Sequence, residues 1–417
     1  MKHTEYIWYP FTQMKLASEP IKIVRGEGAL IYDDNNKSYI DAISSWWTNI
    51  HGHSHPYIAQ KIYEQHKILE HVIFAGFTHD PALNLAKRLV ENHLPKNISK
   101  IFYSDNGSTS VEVAIKMALQ YWFNIGIPKT NIIAFENAYH GDTFGSMSVS
   151  ERGAFTKPFH SQLFDVMFIP LPAKGEEEKC YQAFEKAISN NDIAAFIYEP
   201  LILGAGGMLM YEPEVLNNLV RTAKEKNILC IADEVMTGFY RTGKMFASEY
   251  CTIQPDIICM SKGITGGTMA FGVTACASFI YDAFYDEDKM KAFYHGHSYT
   301  ANPLACTAAL ASLDLLGKGT FIDAIKTIQL QHTEFAEMLS QHPRFENIRQ
   351  RGTIIAFDLK TSSQTSYFNS ERDSLYQYFI EKGILLRPLG NTLYIMPPYC
   401  ISEEQLNSVY TAILNYN

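Results

Sequence analysis

The sequence lacks the features that mark several large classes of protein. None of its 417 residues belongs to an uncharged apolar run long enough to cross a bilayer, and Met1–Glu5 lack the apolar core of a signal peptide. The formal net charge of −9, without any Lys/Arg run interleaved with aromatic residues, gives no basic surface for a nucleic-acid backbone. We therefore expect a cytoplasmic protein that binds neither membranes nor nucleic acids.

Cysteine is sparse, and histidine clusters only once. The seven cysteines are widely spaced, form no Cys-x-x-Cys pair and lie partly within apolar runs, which indicates buried, reduced thiols rather than disulfides or a zinc site. His51, His53 and His55 alternate in a segment that also contains Gly, Ser and Pro, with no cysteine or carboxylate nearby to complete a metal site. We interpret this segment as a loop with hydrogen-bonded histidines and expect no metal.

The length and the 47% hydrophobic content predict about two domains with a large core. From about residue 57, helical segments alternate with short apolar strands, which is typical of a mostly parallel sheet covered on both faces. We predict an α/β fold in which residues 51–310 form a large domain. Residues 1–50 and 311–417 would combine into a smaller α+β domain.

The most informative pair of residues in the sequence is Asp233 and Lys262. Asp233 follows the apolar run 228–232 and Lys262 follows the run 257–260, so both come after probable strand ends. Their spacing allows a strand, a crossover and a neighbouring parallel strand, which would bring both side chains to the same sheet edge. A lysine that holds an aldehyde as a Schiff base and an aspartate that keeps a ring nitrogen protonated are what pyridoxal phosphate chemistry requires. Either residue alone would more simply be a surface charge.

Other segments could complete such a site. Residues 103–110 join a strand to a helix, where Thr109 and Glu112 have the spacing of a capping box and free N–H groups could bind a phosphate. Tyr139 precedes Gly141 in a turn and could cover the face of a planar cofactor, although a core tyrosine is the alternative. Glu199 ends a third strand and could reach the same cleft.

Two glycine-containing segments suggest nucleotide binding instead. Residues 238–244 fit most of the P-loop pattern, but Met245 stands where Ser or Thr would hold magnesium. Residues 204–207 lack the spacing of a dinucleotide fingerprint, so we interpret them as a loop.

With Asn106-Gly107-Ser108, residues 139–142, Asp233-Glu234-Val235 and Ser261-Lys262-Gly263 in this order, the chain resembles the class III, fold-type-I aminotransferases nearly end to end. Residues 8–14, 44–53 and 295–303 carry a closer resemblance to the members that act in biotin biosynthesis. The resemblance implies pyridoxal 5′-phosphate as cofactor and a homodimer with active sites at the interface. It also implies transfer of an amino group from S-adenosylmethionine to 8-amino-7-oxononanoate, giving 7,8-diaminononanoate.

The resemblance also implies roles for individual residues. The catalytic residues would be Lys262, Asp233 and Tyr139. The cofactor would further contact Gly107, Ser108 and Glu199, with His297 and Ser298 supplied from the opposite subunit. The substrate pocket would be lined by Phe11, Trp46, Trp47, Tyr139, Gly296 and Tyr394, with Arg387 binding the substrate carboxylate.

One position departs from the pattern of this family. Phe11 stands where many members place a tyrosine that contacts substrate. Some relatives with phenylalanine there take the amino group from lysine, whereas the Trp46-Trp47 doublet resembles the S-adenosylmethionine users. We expect S-adenosylmethionine, and lysine remains the alternative. Another ω-aminotransferase, acting on ornithine or 4-aminobutyrate, is the alternative beyond the biotin pathway.

Overall fold

The computed structural model describes residues 6–189, 192–361, 369 and 371–416. Its strands, in chain order, are β1 (Ile23–Glu27), β2 (Leu30–Asp33), β3 (Ser38–Asp41), β4 (Ile98–Ser104), β5 (Asn131–Phe135), β6 (Met167–Ile169), β7 (Ile193–Tyr198), β8 (Ile202–Leu203), β9 (Leu209–Met210), β10 (Leu229–Asp233), β11 (Ile257–Met260), β12 (Gly272–Ala277), β13 (Phe345–Arg351), β14 (Ile354–Leu359), β15 (Ile384–Leu385) and β16 (Thr392–Ile395).

A seven-stranded sheet dominates the described part of the chain. Its order is β4-β12-β11-β10-β7-β5-β6, and the neighbours from β11 to β6 run parallel, whereas β12 is antiparallel to both β11 and β4. Every residue of β7, β10, β11 and β12 is buried, as expected for strands covered on both faces. The predicted α/β fold with a mostly parallel sheet is confirmed.

Helices pack on this sheet, and further helices lie in the N- and C-terminal parts of the chain. The α-helices span Pro56–His66, Asp80–Arg88, Gly107–Asn124, Phe144–Ser148, Glu177–Ile188, Pro213–Glu225, Ser278–Asp282, Pro303–Leu316, Gly319–Ser340, Glu371–Glu381 and Glu403–Leu414. A π-helix spans Leu89–His93, and 3-10 helices span Lys157–Gln162, Ala247–Tyr250, Lys262–Thr265 and Lys289–Lys291.

The helix Gly107–Asn124 has a different cap from the predicted one. Asn106 is its N-cap: the Asn106 side chain accepts a hydrogen bond from the Thr109 N–H at 2.9 Å, and Thr109 Oγ1 accepts one from the Asn106 N–H at 3.1 Å. The predicted pairing of Thr109 with Glu112 is therefore wrong, because the helix begins three residues earlier than that pairing requires. Glu112 instead accepts hydrogen bonds from the N–H groups of Gly145 and Ser146.

Two consecutive helices begin at Pro303, with an angle of 73° between them. Pro303–Leu316 is largely buried, and Gly317 and Lys318 separate it from Gly319–Ser340. Among the described residues, no single helix is long and apolar enough to cross a membrane. The two helices of this bent pair reach that length and apolar character only when they are taken together.

Two smaller sheets involve the N- and C-terminal segments. β15 pairs in parallel with β3 and extends the β1-β2-β3 meander, and β13-β14-β16 form an antiparallel sheet. β13 was not predicted from the sequence because it is a polar edge strand. Its register is irregular between Glu346 and Arg349, which breaks the alternation of inward and outward side chains. The division at residues 50 and 310 stays a prediction.

Most of the cysteines are buried, and two of the clustered histidines are hydrogen-bonded. All seven cysteines are free and six of them are buried. His51 Nε2 lies 2.9 Å from Ser312 Oγ, and His53 Nε2 lies 2.8 Å from Asp41 Oδ2, which confirms the hydrogen-bonded loop for these two residues. Within the described ranges, no group of three or more His, Cys, Asp or Glu residues could hold a metal ion.

Candidate active site

Three adjacent strands end in ionisable side chains at one edge of the large sheet. β7 is followed by Glu199, β10 ends at Asp233, and β11 is followed two residues later by Lys262. The register pairs Ala232 with Tyr198 and Asp233 with Cys259, so the three strands end at nearly the same level. In parallel sheets, this carboxyl edge is where ligands bind.

A cavity of about 890 Å³ opens at this edge. Eight of the residues predicted for the site line it: Phe11, Trp46, Trp47, Gly107, Tyr139, Lys262, Arg387 and Tyr394. Ser108 and Glu199 do not line it but hydrogen-bond to the lining residues Asp142 and Tyr139, and Asp233 bonds to His140, the neighbour of Tyr139. Gly296, His297 and Ser298 are not among the lining residues, and their assignment to the opposite subunit stays a prediction.

Lys262 presents a buried amine to the cavity. Its Nζ lies 4.4 Å from the ring centroid of Trp47. Burial lowers the pKa of Lys262 to about 8, against the opposing effect of the negative charges of Asp233 and Glu199. A lysine with such a pKa is neutral in a substantial fraction near neutral pH and can act as a nucleophile.

Asp233 is held by two hydrogen bonds beneath the cavity. Its Oδ2 lies 2.7 Å from His140 Nδ1, and its Oδ1 accepts a hydrogen bond from the Val235 N–H at 3.1 Å. Both side chains are buried, and His140 Nε2 has no hydrogen-bond partner within the described part of the chain. No motif in the sequence indicates a role for His140, apart from its place next to Tyr139.

Glu199 supports the loop that carries Tyr139. Its two carboxylate oxygens accept hydrogen bonds from the N–H groups of Tyr139 at 3.0 Å and Gly204 at 2.9 Å. Burial raises the pKa of Glu199 to about 7, assisted by the charge of Asp233 and opposed by His140 and the two N–H donors. Burial also raises the pKa of Tyr139, with the neighbouring Asp142 adding to the shift. Tyr139 therefore remains a neutral phenol.

The start of the helix Gly107–Asn124 packs closely against the Tyr139 loop. Ser108 Oγ accepts a hydrogen bond from the Asp142 N–H at 3.1 Å. Gly141 has a φ of +132°, and a Cβ at this position would lie 2.1 Å from Ser108 Oγ. Glycine is therefore required for the loop to approach the helix start, where first-turn N–H groups have no acceptor within the helix.

Aromatic side chains and one arginine form the outer part of the cavity. The rings of Phe11 and Trp46 lie 5.6 Å apart, and Arg387 Cζ lies 4.9 Å from the Trp46 ring centroid. Trp47 Nε1 donates a hydrogen bond to Tyr394 Oη at 3.0 Å. Phe155, which sequence reasoning missed, also lines this region, with its ring 6.2 Å from that of Phe11. It lies in an irregular segment with no motif to reveal it.

The segment that partly fits a P-loop supports the cavity wall. Arg241 is 1% exposed and donates hydrogen bonds to the carbonyl oxygens of Pro397 at 2.8 Å and Trp47 at 3.3 Å. Met245 is buried in the core. Residues 204–207 form the turn between β8 and β9, so their interpretation as a loop is confirmed.

Comparisons with known proteins agree with this architecture. The family model for class III aminotransferases matches residues 13–416. The chain is 47% identical over 416 residues to the adenosylmethionine-8-amino-7-oxononanoate aminotransferase of Synechococcus elongatus, covering 98% of this chain and 97% of the relative. It is 37% identical to the Helicobacter pylori enzyme of the same name, covering 98% and 95% of the two chains.

Solved structures show the same similarity. The crystal structure of the Methanocaldococcus jannaschii protein with that name superimposes with a TM-score of 0.93 at 35% identity, covering 98% of this chain and 97% of the other. A PLP-bound amine transaminase from an uncultivated Pseudomonas species superimposes with a TM-score of 0.92 at 27% identity, covering 99% and 98%. The chain belongs to the class III aminotransferase family.

Proposed function

We propose that this protein transfers an amino group from S-adenosylmethionine to 8-amino-7-oxononanoate, giving 7,8-diaminononanoate for biotin biosynthesis. The observation that carries the proposal is that Lys262 and Arg387 line the same cavity. Trp46 and Trp47 also line it. A substrate with a ketone to be aminated, an aliphatic chain and a terminal carboxylate fits such a cavity. The names of the relatives from Synechococcus elongatus and Helicobacter pylori describe this reaction.

The residues at the sheet edge fit pyridoxal 5′-phosphate, the cofactor of this family. Lys262 offers an amine whose lowered pKa suits attachment to an aldehyde, and Asp233 offers a buried carboxylate for the ring nitrogen. The helix start at Gly107 and Ser108 offers N–H groups and a hydroxyl for a phosphate. A Cβ on Gly107 would lie 2.8 Å from Val235 Cγ1, so close packing also requires glycine there.

Individual side chains of this protein would have separate roles in the reaction. The bound cofactor supplies an aldehyde that takes up the amine and an electron-withdrawing ring. Lys262 would hold the cofactor aldehyde through its Nζ and, as a free amine, could accept a proton and give it back. Asp233 would hold the protonated ring nitrogen, and the His140 and Val235 hydrogen bonds fix the orientation of its carboxylate. Tyr139 would contact the ring, and Glu199 holds the Tyr139 backbone.

Arg387 orients the acceptor substrate. Its planar guanidinium can bind a carboxylate through two parallel hydrogen bonds, and Trp46 lies against it. Trp47 and Tyr394 complete the apolar wall along which the aliphatic chain would lie.

Lysine as donor is the second candidate, favoured by Phe11. Phe11 lines the cavity with Trp46, so a donor in this region would meet an aromatic ring without a hydroxyl. We keep S-adenosylmethionine as the proposed donor because the Trp46-Trp47 doublet resembles the enzymes that use it. We also propose that the protein is a cytoplasmic homodimer in which Gly296, His297 and Ser298 complete the opposite active site.

The test separates these alternatives. Holoenzyme would be mixed in turn with S-adenosylmethionine, lysine, ornithine and 4-aminobutyrate, and loss of the cofactor absorbance would identify the donor. Mass spectrometry would then detect 7,8-diaminononanoate after addition of 8-amino-7-oxononanoate. We expect bleaching by S-adenosylmethionine and formation of the diamine. Bleaching by ornithine or 4-aminobutyrate without diamine formation would contradict the proposal, and Lys262→Ala is the control.

A further inference from the structure

The segment that carries the two cavity tryptophans has an unusual backbone. Ser44, Ser45 and Trp47 have φ angles of +51°, +60° and +68°, although none of them is glycine. Ser45 combines its φ of 60° with a ψ of −92°, which is near the rare and strained form of the γ-turn. Non-glycine residues keep such conformations only where their surroundings enforce them, and these positions cluster at functional sites.

Asp41 supplies much of this enforcement. Its side chain is fully buried, and both carboxylate oxygens accept a hydrogen bond from the Ser45 N–H, at 2.8 and 2.7 Å. Oδ2 also accepts a hydrogen bond from Ser45 Oγ at 3.2 Å, and Oδ1 accepts one from the Ile43 N–H at 3.3 Å. His53 Nε2 lies 2.8 Å from Oδ2 and fixes the carboxylate from the other side.

The cavity walls depend on this turn because Trp46 and Trp47 follow directly after it. Trp46 points to Phe11 and Arg387, and Trp47 lies against Lys262. A relaxed turn would rotate both indoles away from positions that the substrate and the lysine require. Asp41 itself does not line the cavity, so its influence has to pass through the backbone of residues 43–47.

We propose that Asp41 is a positioning residue for substrate binding, which holds the strained turn of residues 43–47 so that Trp46 and Trp47 form the cavity wall. The inference rests on the proposed function only in taking the cavity as the substrate site. It assigns a specificity role to a carboxylate that lies outside the catalytic group.

A matched control exists one strand away. Asp33 is also buried and also holds a turn, accepting hydrogen bonds from the N–H groups of Asn35 and Lys37 and from Tyr39 Oη. The turn that it holds connects β2 to β3 and contributes no residue to the cavity. Asp33→Asn therefore imposes a comparable loss of carboxylate hydrogen bonds without affecting the tryptophans.

The experiment compares Asp41→Asn with Asp33→Asn in a Trp8→Phe background, which removes the exposed Trp8. In the apoenzyme, acrylamide quenching of tryptophan fluorescence reports the exposure of the indoles without any catalysis. We expect Asp41→Asn to increase quenching about twofold and to raise KM for 8-amino-7-oxononanoate about tenfold, with a smaller change in kcat. Asp33→Asn should leave the quenching and the KM unchanged.

Equal quenching and equal KM in the two variants would overturn the inference. If Asp41→Asn fails to fold, His53→Ala decides the question, because it removes one partner of the carboxylate and leaves its backbone hydrogen bonds. We expect His53→Ala to shift quenching and KM in the same direction by a smaller amount, and values equal to those of Asp33→Asn would overturn the inference. If the unmodified enzyme makes no diamine, the proposed function fails, but the quenching comparison still tests the role of Asp41.

Discussion

Lys262 Nζ lies 4.4 Å from the ring centroid of Trp47, so the amine lies against an indole in the wall of the cavity. The same tryptophan is fixed through its Nε1 to Tyr394 and through its carbonyl oxygen to Arg241. Trp47 therefore belongs both to the wall of the cavity and to the surroundings of the Lys262 amine. A change that moves Trp47 will alter both substrate binding and the reactivity of Lys262.

Replacing Lys262 with alanine should abolish turnover, because both cofactor attachment and proton transfer need its amine. We expect the variant to fold, since alanine has the same Cβ as lysine at the Lys262 φ of +46° and the fold rests on the large sheet. Circular dichroism would check the fold, and diamine formation would check activity. Sustained transamination by the pure, folded variant would refute the assignment.

The capture of pyridoxal phosphate by the apoenzyme should depend on pH through Lys262. Because its pKa is lowered to about 8, the neutral amine is dominant above that pH and falls about tenfold per unit below it. The initial rate of capture, followed by absorbance at limiting cofactor, should therefore rise with pH to a midpoint near 8. A midpoint near the ordinary lysine value of 10.5 would show that burial does not act on this amine.

Glu199→Gln should move that midpoint to lower pH. The negative charge of Glu199 favours the ammonium form of Lys262, so its removal lowers the pKa of the lysine further. The amide can still accept the Tyr139 N–H hydrogen bond through its oxygen, which keeps the loop in place. The same capture assay measures the shift, and a midpoint that moves upward would contradict this electrostatic account.

Arg387→Ala should weaken binding of the acceptor selectively. Loss of hydrogen bonds to a charged carboxylate costs about 1.5–3 kcal/mol, so KM for 8-amino-7-oxononanoate should rise roughly 10- to 100-fold. The bleaching of the holoenzyme by the donor should change much less. Steady-state kinetics would give the first value and single-turnover bleaching the second. Equal losses in both half-reactions would argue against a role in acceptor binding.

Phe11→Tyr should alter the donor half-reaction. The added hydroxyl would enter the cavity beside Trp46. We expect the concentration of S-adenosylmethionine for half-maximal bleaching to fall severalfold, while that of lysine stays the same or rises. Tighter use of lysine by Phe11→Tyr would reverse our view of this position.

The strands of the large sheet could be predicted from the sequence because they are short apolar runs that are followed by polar residues. Asp233 and Lys262 follow such runs, and the structure places those strands side by side. The polar edge strand β13 gave no such signal, and the cap at Asn106 was missed because Thr109 and Glu112 offered a more familiar spacing. Local patterns identify a helix start only to within a few residues.

The sequence by itself determined the fold class, the lysine and aspartate at the strand ends, and the family, because strand periodicity and local motifs are properties of neighbouring residues. Only the tertiary structure decided that His140 bonds to Asp233, that Arg241 holds Trp47, that Phe155 joins the cavity, and that Asp41 restrains the turn before Trp46. Three of these relationships join segments far apart in the chain, and the fourth depends on left-handed backbone angles at serines. Neither distance in space nor a strained φ is encoded in a motif, since both arise only when the core packs.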